Sequence, residues 1–138
     1  MSSYIGIEKE MWKAFRGHER NGPIHMLNLV KLRDVALYDD GREASGAEAY
    51  AAYGQTSHAV FERVGGRIVW RGAMEVMLIG PPEKTWDICF IAEYPSVDAF
   101  VDMQRDPEYQ AAVPHRQAGV LDSRLIRMNP LAGGGGFG

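Results

Sequence analysis

The hydrophobic residues of this chain alternate between two spacings, and the order of those spacings restricts the fold more than any other feature. Residues 24–33 alternate in polarity as a β-strand does, and residues 47–64 repeat about every 3.6 positions as a helix does. Strand patterns follow at 67–79 and 85–94, a helical pattern begins after Pro95, and a short strand pattern covers 122–128. An amphipathic helical pattern at 7–19 comes before all of them. The predicted order is therefore a helix, then strand, helix, strand, strand, helix, strand.

Two strand–helix–strand halves in this order predict an α+β fold of the ferredoxin-like βαββαβ type, an antiparallel sheet with helices on one face. Turn residues at 22–23, 65–66 and 80–82 separate the elements, and Ser96 and Asp106-Pro107 are typical helix starts. The chain accordingly divides into an N-terminal helical extension (1–23), a single ferredoxin-like domain (24–130) and a glycine-rich tail (131–138). We expect that tail to be disordered.

Composition and charge narrow the class of protein. The 138 residues carry a formal net charge of −3 with acids and bases mixed along the chain, whereas a nucleic-acid-binding protein normally shows a basic stripe. No apolar run approaches the roughly 20 residues that span a bilayer, and the N-terminus does not have the pattern of a secretory signal. We therefore expect a cytoplasmic protein without a nucleic-acid or membrane partner.

The second face of the predicted sheet also needs a cover. Its apolar members are Leu27, Leu29, Val69, Met77, Cys89, Ile91 and Ile126, too many to face water. Its polar members are His25, Lys31, Arg71 and Glu93, too polar for a dry core. A self-complementary interface accommodates both sets, so we expect a homodimer through the open sheet face.

Asn28 interrupts an otherwise apolar face of the first strand. A buried amide without partners costs about 1–3 kcal/mol. Asn28 either bridges to a tyrosine hydroxyl or loop backbone, or takes a catalytic part by orienting a carbonyl or oxyanion between sheet and helices. Tyr50 and Tyr53 on the helix at 47–64, together with Trp70, either pack in the core or line a substrate-binding cavity with Asn28.

The pair His115-Arg116 follows Pro114, which kinks or ends the helix that starts at Pro107. If the helical phase continued through Pro114, Arg116 would share the stripe of Tyr109, and His115 would sit away from it. Arg116 is either structural or the anchor of a substrate carboxylate. His115 either lies in solvent or is a general acid or base aimed at Asn28.

Metal and nucleophile chemistry have little support. The histidines show no His-x-His or His-x3-His spacing, so we expect no metal site, and we expect no cofactor. Cys89 is the only cysteine, which excludes a disulfide within the chain and a cysteine-based zinc site. The sequence also contains no Gly-x-Ser-x-Gly elbow.

Three stretches, SGAEAYAAYG (45–54), GGRIVWRG (65–72) and EYPSVDAFVDMQRDPEYQAAVPHRQ (93–117), resemble the family called domain of unknown function 1330. The resemblance covers roughly residues 24–128. The family is similar to the dimeric α/β-barrel superfamily, in which two ferredoxin-like sheets pack face to face. The resemblance therefore implies a dimeric α/β barrel, and relatives in that superfamily include cofactor-independent monooxygenases and isomerases.

Three hypotheses about function follow. The chain is a cofactor-independent enzyme acting on a small carbonyl or carboxylate compound, with Asn28 and Arg116 orienting it and His115 moving a proton. Alternatively it is a dimer that binds a small ligand in the same cavity without catalysis. In the third hypothesis it is an interaction module whose polar residues are all structural.

Overall fold

The computed structural model of the chain describes residues 3–138, so the first two residues of the predicted extension lie outside the described residues. The elements are α1 (Lys9–Gly17), β1 (Ile24–Leu32), α2 (Gly46–Arg63), β2 (Arg67–Gly72), β3 (Ile88–Tyr94), α3 (Val97–Arg105), α4 (Pro107–Gly119) and β4 (Val120–Met128). The strands form one antiparallel sheet in the order β2-β3-β1-β4. This is the ferredoxin-like arrangement, which confirms the α+β prediction.

The main core lies between one face of the sheet and the helices. β1 contributes Ile24 and Met26, which are 0% and 3% exposed, and α2 contributes the fully buried Val60. α3 supplies Phe100, whose ring lies 5.1 Å from that of Tyr94 on β3. The apolar faces that the spacing predicted for β1 and β3 are therefore the faces that meet the helices.

Local capping rules account for where the helices begin. Ser45 accepts from the backbone N–H of Glu48, and the Glu48 carboxylate accepts from the backbone N–H of Ser45, which is a complete capping box at the start of α2. Ser96 caps α3 through the N–H of Ala99, and Asp106 caps α4 with Pro107 in the first turn. The predicted starts at Ser96 and Asp106-Pro107 are confirmed.

Pro114 does not end the last helix. α4 runs from Pro107 to Gly119 with Pro114 inside it, so the missing N–H of the proline is tolerated and the helical phase continues. His115 and Arg116 therefore point in directions set by the helix rather than by a break in it.

β2 is shorter than the strand predicted at 67–79, because it ends at Gly72. Gly72 pairs with Cys89, and β3 begins at Ile88, so little of β3 remains for a longer β2 to pair with. The pairing of β2 with β3 contains a register shift between Ile68 and Trp70. That shift changes which face of the sheet the later residues of β2 occupy.

The N-terminal arm, defined here as residues 3–20, crosses the helix-covered side of the sheet. The rings of Trp12 and Phe15 lie 5.8 Å apart, and Phe15 packs on Phe100 at 5.1 Å. The Arg127 guanidinium on β4 donates to the carbonyls of Phe15 and Arg20 at 3.0 and 3.2 Å. The arm is therefore attached to the domain through both α3 and β4.

Candidate functional site

A cavity of about 1340 Å³ lies between the helix-covered face of the sheet, α2, α4 and the N-terminal arm. Its floor contains one cross-strand row, in which Arg71, Phe90, Asn28 and Leu125 stand opposite one another on β2, β3, β1 and β4. Directly paired residues of neighbouring strands project to the same face of a sheet. The row therefore aims two polar side chains, Arg71 and Asn28, at the same space.

Asn28 is half-buried, and its amide Nδ2 donates to the carbonyl of Met26 at 3.0 Å. This contact ties the amide to its own strand, so neither the tyrosine hydroxyl nor the loop backbone expected as its partner is used. Among the hydrogen bonds of residues 3–138, none is accepted by the Asn28 Oδ1 atom. The amide therefore offers an acceptor and a second N–H to the cavity.

Two tyrosines of α2 form the wall opposite the sheet, their ring centroids 5.4 Å apart. The hydroxyl of Tyr53 shares a 2.8 Å hydrogen bond with that of Tyr109. Burial raises the pKa of Tyr53 well above its usual value, and the contact with Tyr109 adds a smaller rise. Burial also raises the pKa of Tyr50 to about 12, although the positive charges of Arg116 and Arg71 oppose the rise. Tyr50 therefore keeps its proton at neutral pH and can donate a hydrogen bond.

Arg116 projects from α4 to the cavity wall, as the uninterrupted helical phase requires. Its guanidinium donates to the carbonyl of Ile5 in the N-terminal arm and to the Ser123 hydroxyl at 3.3 Å. Both acceptors are neutral, so the charge of Arg116 is solvated by dipoles rather than cancelled by a carboxylate. Arg116 lines the cavity, and its role as the anchor of a substrate carboxylate stays a prediction.

His115 lies outside the cavity, which corrects the expectation that it faces Asn28. Its Nδ1 atom shares a 2.7 Å hydrogen bond with the Tyr38 hydroxyl, and the two rings meet edge to face. Because α4 continues through Pro114, consecutive residues point about 100° apart, and His115 is turned towards the loop before α2 while Arg116 is turned inward.

Trp70 also lies outside the cavity. Arg71 occupies the cavity position that the sequence suggested for Trp70. With Val69 as the extra residue, Trp70 pairs with Ile91 on the open face, where it is 52% exposed. Arg71 pairs with Phe90 on the cavity face instead of joining the open face. Alternation alone assigned both residues to the wrong face, because one bulged residue exchanges the faces of everything after it.

The described part of the chain contains no group of three His, Cys, Asp or Glu side chains placed to hold a metal ion. Likewise, none of the helices within residues 3–138 is long and apolar enough to cross a membrane.

Comparisons with known proteins identify a family and several similar structures. The family model described as "Domain of unknown function (DUF1330)" matches residues 43–128. A crystal structure of the RPA0582 protein of unknown function from Rhodopseudomonas palustris is 60% identical with a TM-score of 0.92, covering 96% of this chain and 100% of that one. The methylated RPA0582 protein is 61% identical with a TM-score of 0.94, covering 98% of this chain and 100% of that one.

A more distant likeness is to SnoaB from Streptomyces nogalater, described as a cofactor-independent oxygenase. It has a TM-score of 0.53 and 16% identity, with 81% of this chain and 96% of that chain covered. At this identity the likeness shows the fold alone. None of the curated proteins matches the chain.

Proposed function

The chain belongs to the DUF1330 family, and from that premise we propose that its cavity binds and transforms a small carbonyl or carboxylate compound without a cofactor. One observation supports this proposal above the others. Asn28, Tyr50 and Arg116 come from β1, α2 and α4, far apart in sequence, and line the same cavity, whose walls include several aromatic rings. Small-molecule sites have this composition, with apolar walls and a few convergent polar groups.

The donors of the cavity suit a reaction that passes through a substrate anion. Removing a proton beside a carbonyl places negative charge on the carbonyl oxygen, and fixed donors stabilise that charge. Tyr50 keeps its proton because its pKa is raised to about 12, and Arg116 supplies a guanidinium on the cavity wall. SnoaB, described as a cofactor-independent oxygenase, shares the fold, which is compatible with chemistry of this kind.

The alternative is a ligand-binding protein without catalysis. The location of His115 favours it, because that imidazole is bonded to Tyr38 and is not available to a ligand in the cavity. The two functions differ in one observable. An enzyme changes the compound on incubation, whereas a binding protein is stabilised by a compound that is recovered unchanged.

The test begins with a thermal-shift screen of small carbonyl and carboxylate compounds, followed by mass spectrometry of each stabilising compound after incubation with the protein. For a stabilising compound we expect Asn28→Ala to weaken binding about tenfold, the loss of roughly 1.4 kcal/mol. Asn21→Ala is the matched control, since Asn21 is exposed and does not line the cavity. Equal affinity in both variants would count against a site at Asn28.

We also propose that two copies associate through the open sheet face. On this face Trp70 and Ile126 are 52% and 42% exposed in the single chain. Its charged groups are already paired within the chain, since His25 and Arg67 contact Glu93 at 2.8 and 2.7 Å. An apolar surface with internally neutralised charges is suited to meeting a copy of itself.

The segment after β2 supports the same proposal. Val76, Leu78 and Ile79 are 74%, 87% and 92% exposed, more than expected for three large apolar side chains so close in sequence. Light scattering is expected to give twice 15.3 kDa, and Ile126→Asp to give single chains while Leu131→Asp in the tail leaves the dimer intact. A 15.3 kDa particle at micromolar concentration would refute the dimer.

A further inference from the structure

Arg71 is the least compensated charge in the cavity. Its guanidinium forms no ion pair and donates no hydrogen bond to any of residues 3–138, yet it stands in the row of Phe90, Asn28 and Leu125 on the cavity floor. The bulge at Val69 is what turns it inward. A bulge beside a site often serves to redirect a side chain.

The other arginines around the cavity have partners that occupy their donors. Arg124 is paired with Asp122 at 2.8 Å, and Arg127 donates to two carbonyls of the N-terminal arm. Arg116 donates to neutral oxygens, as Arg127 does, so no carboxylate among residues 3–138 pairs with Arg116 or with Arg71. The acidic residues that line the cavity, Glu8 and Glu10, are exposed and belong to the arm rather than the floor.

The two guanidinium groups and the Tyr50 side chain line the same cavity. Arg71 comes from β2 and Arg116 from α4, so the two charges border this space from the sheet and from a helix. The aromatic rings of Tyr50, Tyr53 and Phe90 border the same space. The cavity therefore combines two guanidinium groups with aromatic walls.

From this arrangement we propose that the ligand is a small aromatic carboxylate, with its carboxylate held between Arg71 and Arg116 and its ring against Tyr50 and Phe90. The proposal deepens the proposed function and rests on it. A guanidinium matches a carboxylate with two parallel hydrogen bonds, which an ammonium or a neutral amide cannot receive in the same way. The site therefore discriminates by charge as well as by shape.

The test uses three probes of one shape: 1-naphthoate, 1-naphthamide and 1-naphthylmethylamine. Calorimetry on the full chain is expected to show 1-naphthoate binding at least tenfold more tightly than the amide, with no detectable binding of the amine. The preference is expected to shrink at high salt, because the contacts are partly exposed and screened.

Arg71→Met is expected to weaken 1-naphthoate at least tenfold and to change 1-naphthamide less than twofold. Arg105→Met removes the same charge from the exposed end of α3 and is expected to change neither affinity. Because Arg71 is exposed and has no partner to lose, its variant is expected to melt within a degree or two of the parent.

The results distinguish a failure of the carboxylate inference from a failure of the proposed function. Equal binding of naphthoate and naphthamide, or an unaffected Arg71→Met variant, overturns the carboxylate inference while leaving a small-molecule site in place. Failure of all three probes also overturns it, and the proposed function then depends on whether the carbonyl screen finds a stabilising compound. If that screen finds none as well, both proposals fail.

Discussion

Asp122 joins the N-terminal arm to the sheet, and its replacement by asparagine tests the electrostatics of that attachment. The side chain is buried on β4 and accepts from the backbone N–H groups of Tyr4 and Ser123, both at 2.9 Å. It also pairs with Arg124 at 2.8 Å and with Lys84 at 3.0 Å. One carboxylate therefore connects the arm, β4 and the segment before β3.

The magnitude follows from the pKa of this carboxyl. Burial by itself raises the pKa, but the hydrogen bonds from Tyr4, Lys84 and Arg124 outweigh it and lower the pKa from 3.8 to about 2. A difference of that size is worth about 2 kcal/mol. Since the folded pKa is the lower one, this stabilisation is complete above about pH 4 and is lost as the pH falls towards 2.

We expect Asp122→Asn to lower the free energy of unfolding by about 2 kcal/mol at pH 7, measured by urea denaturation at one fixed protein concentration. Near pH 2 most of the gap between variant and parent is expected to close, because the carboxyl of the folded parent is then about half protonated. Hydrogen exchange is expected to accelerate first in residues 3–20, which depend on Asp122 for their attachment.

Asp102→Asn on the exposed side of α3 is the control, with an expected change below about 0.5 kcal/mol. A loss at Asp122 no larger than that of the control at pH 7 would refute this account. So would a loss of equal size at pH 7 and pH 2, since it would show that the negative charge is not the cause.

Two further changes test local contacts. Ser45→Ala removes the acceptor of the Glu48 N–H and is expected to cost about 1 kcal/mol by denaturation, while Ser3→Ala, in the exposed arm, is expected to cost less than half as much. His115→Ala breaks the bond to Tyr38 and is expected to cost about 1 kcal/mol while leaving ligand affinity within twofold of the parent. If His115→Ala instead abolished turnover of an identified substrate with stability unchanged, the imidazole would be catalytic after all.

The parts of the fold that depend only on residues close in sequence were predictable. Ser96 and Asp106-Pro107 start helices because a side-chain oxygen reaches an N–H two or three residues away, and no distant contact is needed. The alternation in β1 likewise indicated the face that meets the helices, because apolar residues on one side of a strand must be buried together. These signals sufficed to order the elements, and the order restricts the topology.

The end of β2 shows where such signals stop. Residues 73–79 have the apolar character of a strand, but a strand also needs a partner, and the register of β3 leaves it almost none beyond Gly72. Pairing partners come from distant sequence, so the pattern overestimated the strand by seven residues, 73–79.

The sequence by itself determined the order of the elements, the helix caps and the presence of Asn28, Tyr50 and Tyr53 on inward-facing stripes. Only the tertiary structure decided which neighbour of each pair enters the cavity. A helix that continues through Pro114 turns Arg116 inward and His115 outward, and a bulge at Val69 turns Arg71 inward and Trp70 outward. In both cases adjacent residues point to different faces. Which of them faces the cavity is decided by packing and strand pairing with distant parts of the chain rather than by the local sequence.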